Sequence, residues 1–170
     1  MNLLETFNRT IDYWISDIPN YSLKELKTKP DSTSWSLGQV YRHLIEETIW
    51  YYGQIALSLT DTKNQNEDMT DQAKTMFAAN EFPDARIIGD PLISDKVPQP
   101  ESIDQLNLDM RQLKTDAFVL WQKVPADARG KSKHPGLGYF TAQEWFQYVE
   151  MHMRHHLHQK ARLDTYLTQQ

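Results

Sequence analysis

Apolar residues recur at alternating steps of three and four along four long segments of this sequence. The segments span residues 3–18, 37–59, 103–124 and 142–167. The repeat is most regular in the third segment, at Ile103, Leu106, Met110, Leu113, Ala117, Leu120 and Val124. This spacing puts the apolar side chains on one face of an α-helix, which must be buried against other helices. No strand pattern competes, so the sequence predicts an all-α protein built as a four-helix bundle.

Capping signals agree with the predicted helix starts. Asn2 is an N-cap candidate for the first helix. Each of the other helices follows a predicted capping box, formed by Ser36 with Gln39, Ser102 with Gln105, and Thr141 with Glu144. We therefore interpret Glu144 as a cap rather than as a catalytic acid. Pro19 and Pro125 end the first and third helices.

The lengths of the connections predict the order of the helices. Connections of moderate length join helices one to two and three to four, so each pair should be antiparallel neighbours. The crossover from Thr60 to Glu101 is long enough to run the length of the bundle. The predicted order is therefore up-down-down-up. Residues 70–80 could form a short extra helix, and Pro91, Pro98 and Pro100 keep the rest of the crossover irregular.

Length and composition limit the class of protein. The 170 residues predict one domain, spanning residues 1–170. There is no cysteine, which excludes disulfides and thiolate metal sites and suits a reducing cytoplasm. The net charge of −5 argues against nucleic-acid binding. The start of the chain lacks the pattern of a signal peptide and no apolar run could span a membrane, so we expect a cytoplasmic protein.

Histidines mark the candidate site, since four of the six lie in the fourth helix. His152 and His156 lie one turn apart on its inward face, in register with Trp145, Val149, Gln159, Leu163 and Tyr166. Buried imidazoles need partners, which can be a divalent metal ion or hydrogen bonds to neighbouring groups. His43 in the second helix is the candidate third ligand, and Glu47 one turn later could accept its other ring proton or approach the metal.

The sequence gives weaker evidence that the remaining histidines belong to the candidate metal site. His155 lies at the edge of the inward face, whereas His158 points nearly opposite and should be exposed to solvent. His134 precedes Pro135, which favours an extended backbone. A hydrogen bond that orders the loop is the favoured role for His134, and a place at the mouth of the site is the alternative.

Two stretches resemble a known family. Residues 35–44, WSLGQVYRHL, resemble the opening of helix two in the DinB-like superfamily of damage-inducible four-helix proteins. The His-Pro-x-x-Gly of residues 134–138, the Glu-Trp of residues 144–145 and the H-x-x-H-H-x-x-Q of residues 152–159 resemble its closing segment. The resemblance covers all four helices in order and length, and it is specific in the second and fourth.

The resemblance implies a site and a range of functions. In that superfamily one histidine of helix two and an H-x-x-x-H pair of helix four bind zinc or nickel, which implies one divalent metal ion on His43, His152 and His156. Members include metal-dependent transferases that use small thiols such as bacillithiol or mycothiol. We therefore expect a transferase of this type or a hydrolase, acting on an unknown small-molecule substrate, with Glu47 or His155 moving a proton.

Two alternatives to an enzyme stay open from the sequence. The metal could be structural in a non-enzymatic stress-response bundle, with Glu47 as a fourth ligand. The histidines could instead be core residues that are satisfied by hydrogen bonds, with no metal.

The chain could also form a homodimer.

Overall fold

The fold is mostly helical and includes a small two-stranded sheet. It is seen in a computed structural model that describes residues 2–60, 62–83 and 96–170. A short 3₁₀ helix, Ile18–Asn20, extends the first helix. The elements in chain order are α1 (Leu3–Asp17), α2 (Leu23–Lys27), α3 (Leu37–Ser58), α4 (Asp71–Ala79), α5 (Ile103–Trp121), β1 (Lys131–His134), β2 (Gly138–Thr141) and α6 (Ala142–Leu167).

The four long predicted helices correspond to α1, α3, α5 and α6. The short helix predicted within the crossover is confirmed as α4. The third helix ends at Trp121, three residues before its predicted end. The sequence did not predict α2, which a capping box of Ser22 and Glu25 begins. Pro91 lies outside the described residues, so its predicted effect on the crossover stays a prediction.

The prediction that no strands form was wrong, because β1 and β2 pair as an antiparallel hairpin. Each strand has only four residues, too few to show a period of two clearly. Tertiary contacts hold the hairpin in place. The Nε1–H of Trp145 donates to Ser132 Oγ at 2.8 Å, and that hydroxyl donates to the Gln54 carbonyl at 2.9 Å. The hairpin is thereby fixed against both α3 and α6.

Gly138 joins the hairpin to the start of the crossover. Its φ of 88° lies in the left-handed region, and a Cβ there would lie 2.6 Å from the Asp68 carbonyl oxygen. The Thr70 N–H donates to the Leu137 carbonyl at 2.9 Å, and the Tyr139 N–H donates to the Asp68 carbonyl at 3.2 Å. A glycine is therefore required at this position for the two segments to approach each other.

The predicted helix caps are confirmed with one exception. Asn2 caps α1, and full capping boxes begin α3 and α6. At α5 the Ser102 hydroxyl accepts from the Gln105 N–H, but the Gln105 amide donates to Asp109 instead of completing the box. Since Glu144 bonds to the backbone and hydroxyl of Thr141, its interpretation as a cap is supported.

The long helices pack around a shared apolar core. Both α1 and α3 pack against α5 and against α6. The expectation that helices one and two, and helices three and four, are neighbours was wrong, since neither pair is among the closely packed ones in the described residues. No helix of the described residues is both long and apolar enough to cross a membrane.

Candidate metal centre

Three histidine rings meet between α3 and α6. The Nε2 atom of His152 lies 3.3 Å from Nε2 of His43 and 3.2 Å from Nε2 of His156. One ligand atom from each residue can be chosen so that all lie within 4.8 Å of one another. The predicted convergence of these three nitrogens is confirmed. Their role as metal ligands stays a prediction that this geometry supports.

The packing of α3 on α6 explains why the rings converge. His152 and His156 lie one turn apart on the face of α6 that packs against α3. Trp35, just before α3, packs against the His43 ring with ring centroids 4.9 Å apart. Tyr51 meets the His152 ring edge-on at 5.5 Å. Aromatic rings on both sides therefore restrict the rotation of the imidazoles.

Burial keeps the three imidazoles neutral. It lowers the pKa of His43 to about 4, and it lowers the pKa of His156 to about 3 with a further contribution from His43. For His152, burial and then the neighbouring His156 and His43 hold the pKa well below its ordinary value. A neutral imidazole has a lone pair to offer, which is the form that binds a cation.

Hydrogen bonds indicate which nitrogen of His156 carries its proton. Its Nδ1 lies 2.9 Å from Oε1 of Gln159, and an amide oxygen can only accept. The proton is therefore on Nδ1, which leaves the lone pair of Nε2 directed toward His43 and His152. Metal-binding histidines usually have such a partner for the second ring nitrogen.

The same contacts leave the triad unsatisfied by hydrogen bonds alone. The Nε2 of His152 lies near two other Nε2 atoms, and it can donate to at most one of them. Its Nδ1 is buried and has no hydrogen-bond partner among the described residues. A cation at the centre would use all three Nε2 lone pairs at once, so the residues fit a bound divalent ion.

Glu47 and His155 lie next to the three histidines but not among them. Within the described part of the chain, Glu47 does not belong to the group of converging ligand atoms. The ring of His155 lies 5.6 Å from that of His156 and 5.5 Å from that of Phe82. Their proposed catalytic roles stay predictions.

The other two histidines are arranged as expected. His158 is exposed to solvent. The Nδ1 of His134 accepts from the Gly136 N–H at 3.1 Å, which orders the turn of the hairpin. Its Nε2 lies 3.0 Å from the Tyr148 hydroxyl.

Sequence reasoning missed two features of the site. It noted Gln159 only as part of a motif and did not assign it a role. It also gave no role to Tyr148, whose hydroxyl contacts His134 and whose ring meets that of Tyr51 edge-on. The signal for Gln159 was present, because the amide follows His156 by three residues on the same helical face. The contact of Tyr148 with Tyr51 depends on how α3 packs on α6, which the sequence does not show.

A comparison with protein families identifies the class of protein. The sequence profile of the DinB superfamily matches residues 4–159, which is nearly the whole chain. The chain therefore belongs to the DinB superfamily. Neither the comparison with curated proteins nor the comparison with solved structures finds a match.

Proposed function

We propose that this DinB-superfamily protein binds one divalent metal ion, zinc or nickel, through His43, His152 and His156. The observation that carries the proposal is the convergence of three Nε2 atoms, with contacts of 3.2 and 3.3 Å. The Gln159 contact supports it further, because it leaves Nε2 of His156 unprotonated.

We further propose that the protein is a metal-dependent transferase of the small-thiol type, or a hydrolase, acting on a small molecule. A divalent ion held by neutral imidazoles keeps its full charge and lowers the pKa of a thiol or water bound to it. Glu47 lies one turn from His43 and could accept the released proton, and His155 is the second candidate. The chain itself has no cysteine, so a thiol must come from a separate molecule.

The proposed architecture is a single domain over residues 1–170, a four-helix bundle in the order up-down-down-up. Contacts between helices support this order. Thr10 in α1 is hydrogen-bonded to Glu150 in α6, and Tyr21, just after α1, is hydrogen-bonded to Asp164 further along α6. Residue numbers therefore increase in the same direction along α1 and α6, as expected for parallel helices. Residue numbers increase in opposite directions along α3 and α6. His43, near the start of α3, contacts His156, whereas Tyr51, further along α3, contacts Tyr148, which precedes His156 in α6.

Cobalt-substituted protein distinguishes an enzyme site from a structural one. If the fourth coordination position accepts substrate, adding a small thiol should change the visible spectrum, because sulfur would bind the cobalt. Glu47→Gln should keep the metal and impair proton transfer. If no thiol or anion changes the visible spectrum, and Glu47→Gln loses the metal, Glu47 would instead be identified as a fourth ligand in a structural site.

A further inference from the structure

The start of the crossover is attached to α6 at the point where α4 ends. Asn80 adopts a left-handed conformation with φ of 54°, and the N–H groups of Asn80 and Glu81 donate to carbonyls in the last turn of α4. The side-chain amide of Gln147 in α6 donates to Oδ1 of Asn80 at 2.9 Å and to the Phe77 carbonyl at 3.3 Å. The turn that follows α4 is therefore held in place against α6.

An ion pair on α6 provides a second attachment. Nη2 of Arg154 donates to the Asn80 carbonyl at 2.7 Å. The same guanidinium donates to both carboxylate oxygens of Glu150, at 3.0 and 2.9 Å, and the Thr10 hydroxyl of α1 donates to Glu150 Oε1 at 2.8 Å. Because Glu150 is buried and has these partners, it restricts the Arg154 head group that holds Asn80.

These attachments place the ring of Phe82 beside the three histidines. The ring centroid of Phe82 lies 5.5 Å from that of His155 and 6.0 Å from that of His152. It also lies 5.0 Å from the centroid of the Tyr148 ring. Phe82 therefore packs against one proposed ligand and against that ligand's neighbours on α6.

Helix α1 closes the opposite side of α6. The Trp14 Nε1–H donates to the Met153 carbonyl at 3.2 Å, in the same turn of α6 as the converging histidines. By helical spacing, the side chains of Tyr148 and His155 point away from α1. The edge of α6 that Phe82 contacts is therefore the one that α1 leaves open.

We infer that Phe82 narrows the entry to the metal centre and slows both the binding and the release of the ion. This inference rests on the proposed metal site, and Phe82 is not itself a ligand. A ring beside the entry raises the barrier to passage in both directions, because passage then requires a local opening of the structure. It leaves the equilibrium affinity unchanged, whereas the loss of a ligand or of its support would weaken binding. The two rates together therefore identify an entry residue.

Stopped-flow measurements with cobalt test this inference in Phe82→Ala. Binding is followed by the visible absorption that appears when metal-free protein is mixed with cobalt, and release is followed by its loss in excess chelator. Both rate constants should increase about tenfold, an effect of the size that losing one aromatic pair produces. The dissociation constant should stay that of wild type. The matched control is Phe118→Ala, which should change neither rate because that ring is exposed to solvent on α5.

Two more variants complete the test. Gln147→Met removes the donor that holds Asn80, so it should increase both rates in the same way without changing the affinity. Phe82→Leu keeps an apolar side chain and should give a smaller increase, and it serves if Phe82→Ala does not fold. Wild-type rates in the Phe82 and Gln147 variants, or faster release together with a weaker affinity, would overturn the inference and leave the metal site intact. Failure of wild-type protein to bind cobalt would overturn the proposed function as well.

Discussion

Replacing Gln159 should weaken metal binding by a predictable amount. Its Oε1 accepts from Nδ1 of His156 at 2.9 Å and so fixes the tautomer that presents Nε2. Gln159→Met keeps the side-chain length and removes the acceptor. Loss of such an outer partner typically lowers metal affinity by about 10- to 100-fold, or about 1.4 to 2.7 kcal/mol. Because Gln159 is half-exposed and water can replace part of the bond, we expect the lower end, about tenfold.

The assay is a competition titration of zinc against a chromophoric chelator at neutral pH. Gln159→Glu should bind at least as tightly as wild type, because a carboxylate makes the imidazole a stronger ligand. Gln147→Met is the matched control on the same helix, since that amide donates to Phe77 and Asn80 instead of to a histidine. Wild-type affinity in Gln159→Met, or equal weakening in Gln159→Met and the control, would refute the assigned role of Gln159.

Three further predictions concern stability. The pKa of His134 falls from 6.5 in the unfolded chain to about 4, so metal-free protein should lose stability as the pH falls from about 6.5 to about 4, where the unfolded chain binds more protons. Urea unfolding of His134→Gln should show a smaller loss over this range, by on the order of 1 kcal/mol. Chelation should lower the melting temperature by about 5–10 °C without removing the helical circular dichroism signal, because one ligand at a hundred times its dissociation constant contributes about 2.7 kcal/mol. Gly53→Ala should raise the free energy of unfolding by about 0.5–1 kcal/mol, since a Cβ at this helical position meets nothing within 4 Å. Gly38→Ala should instead lower the free energy of unfolding, because a Cβ there would lie 2.6 Å from Pro100. A decrease in Gly53→Ala, an unchanged pH dependence in His134→Gln, or an unfolded metal-free protein would contradict these expectations.

The long helices could be predicted from the sequence because each carries a periodic apolar face and a cap. Leu106, Met110, Leu113 and Ala117 recur at heptad spacing, and all four are buried in α5. The hairpin could not be predicted in this way, because its four-residue strands depend on contacts of Ser132 with Gln54 and Trp145. The packing of α1 and α3 against α5 and α6 also depends on side-chain fit, which spacing alone does not determine.

Part of the candidate site could likewise be predicted from the sequence, and part of it could not. His152 and His156 share a helical face by spacing alone, and His43 was added as the histidine of another inward face. Their convergence could therefore be predicted. The position of Glu47 outside the converging group could not, because it depends on the orientation of the side chain. Spacing places a side chain on a face but does not select its hydrogen-bond partner.

The metal content of tag-free protein tests the central claim most directly. After loading with zinc or nickel and removal of excess ion, elemental analysis should give close to one divalent ion per chain. His43→Ala and His156→Ala should each lose most of it, because each removes one of the three converging Nε2 atoms. His158→Ala is the matched control, since that exposed side chain lies on the same helix as His156 and should leave the content unchanged. Wild-type protein without metal, or full metal content in both triad variants, would contradict the account.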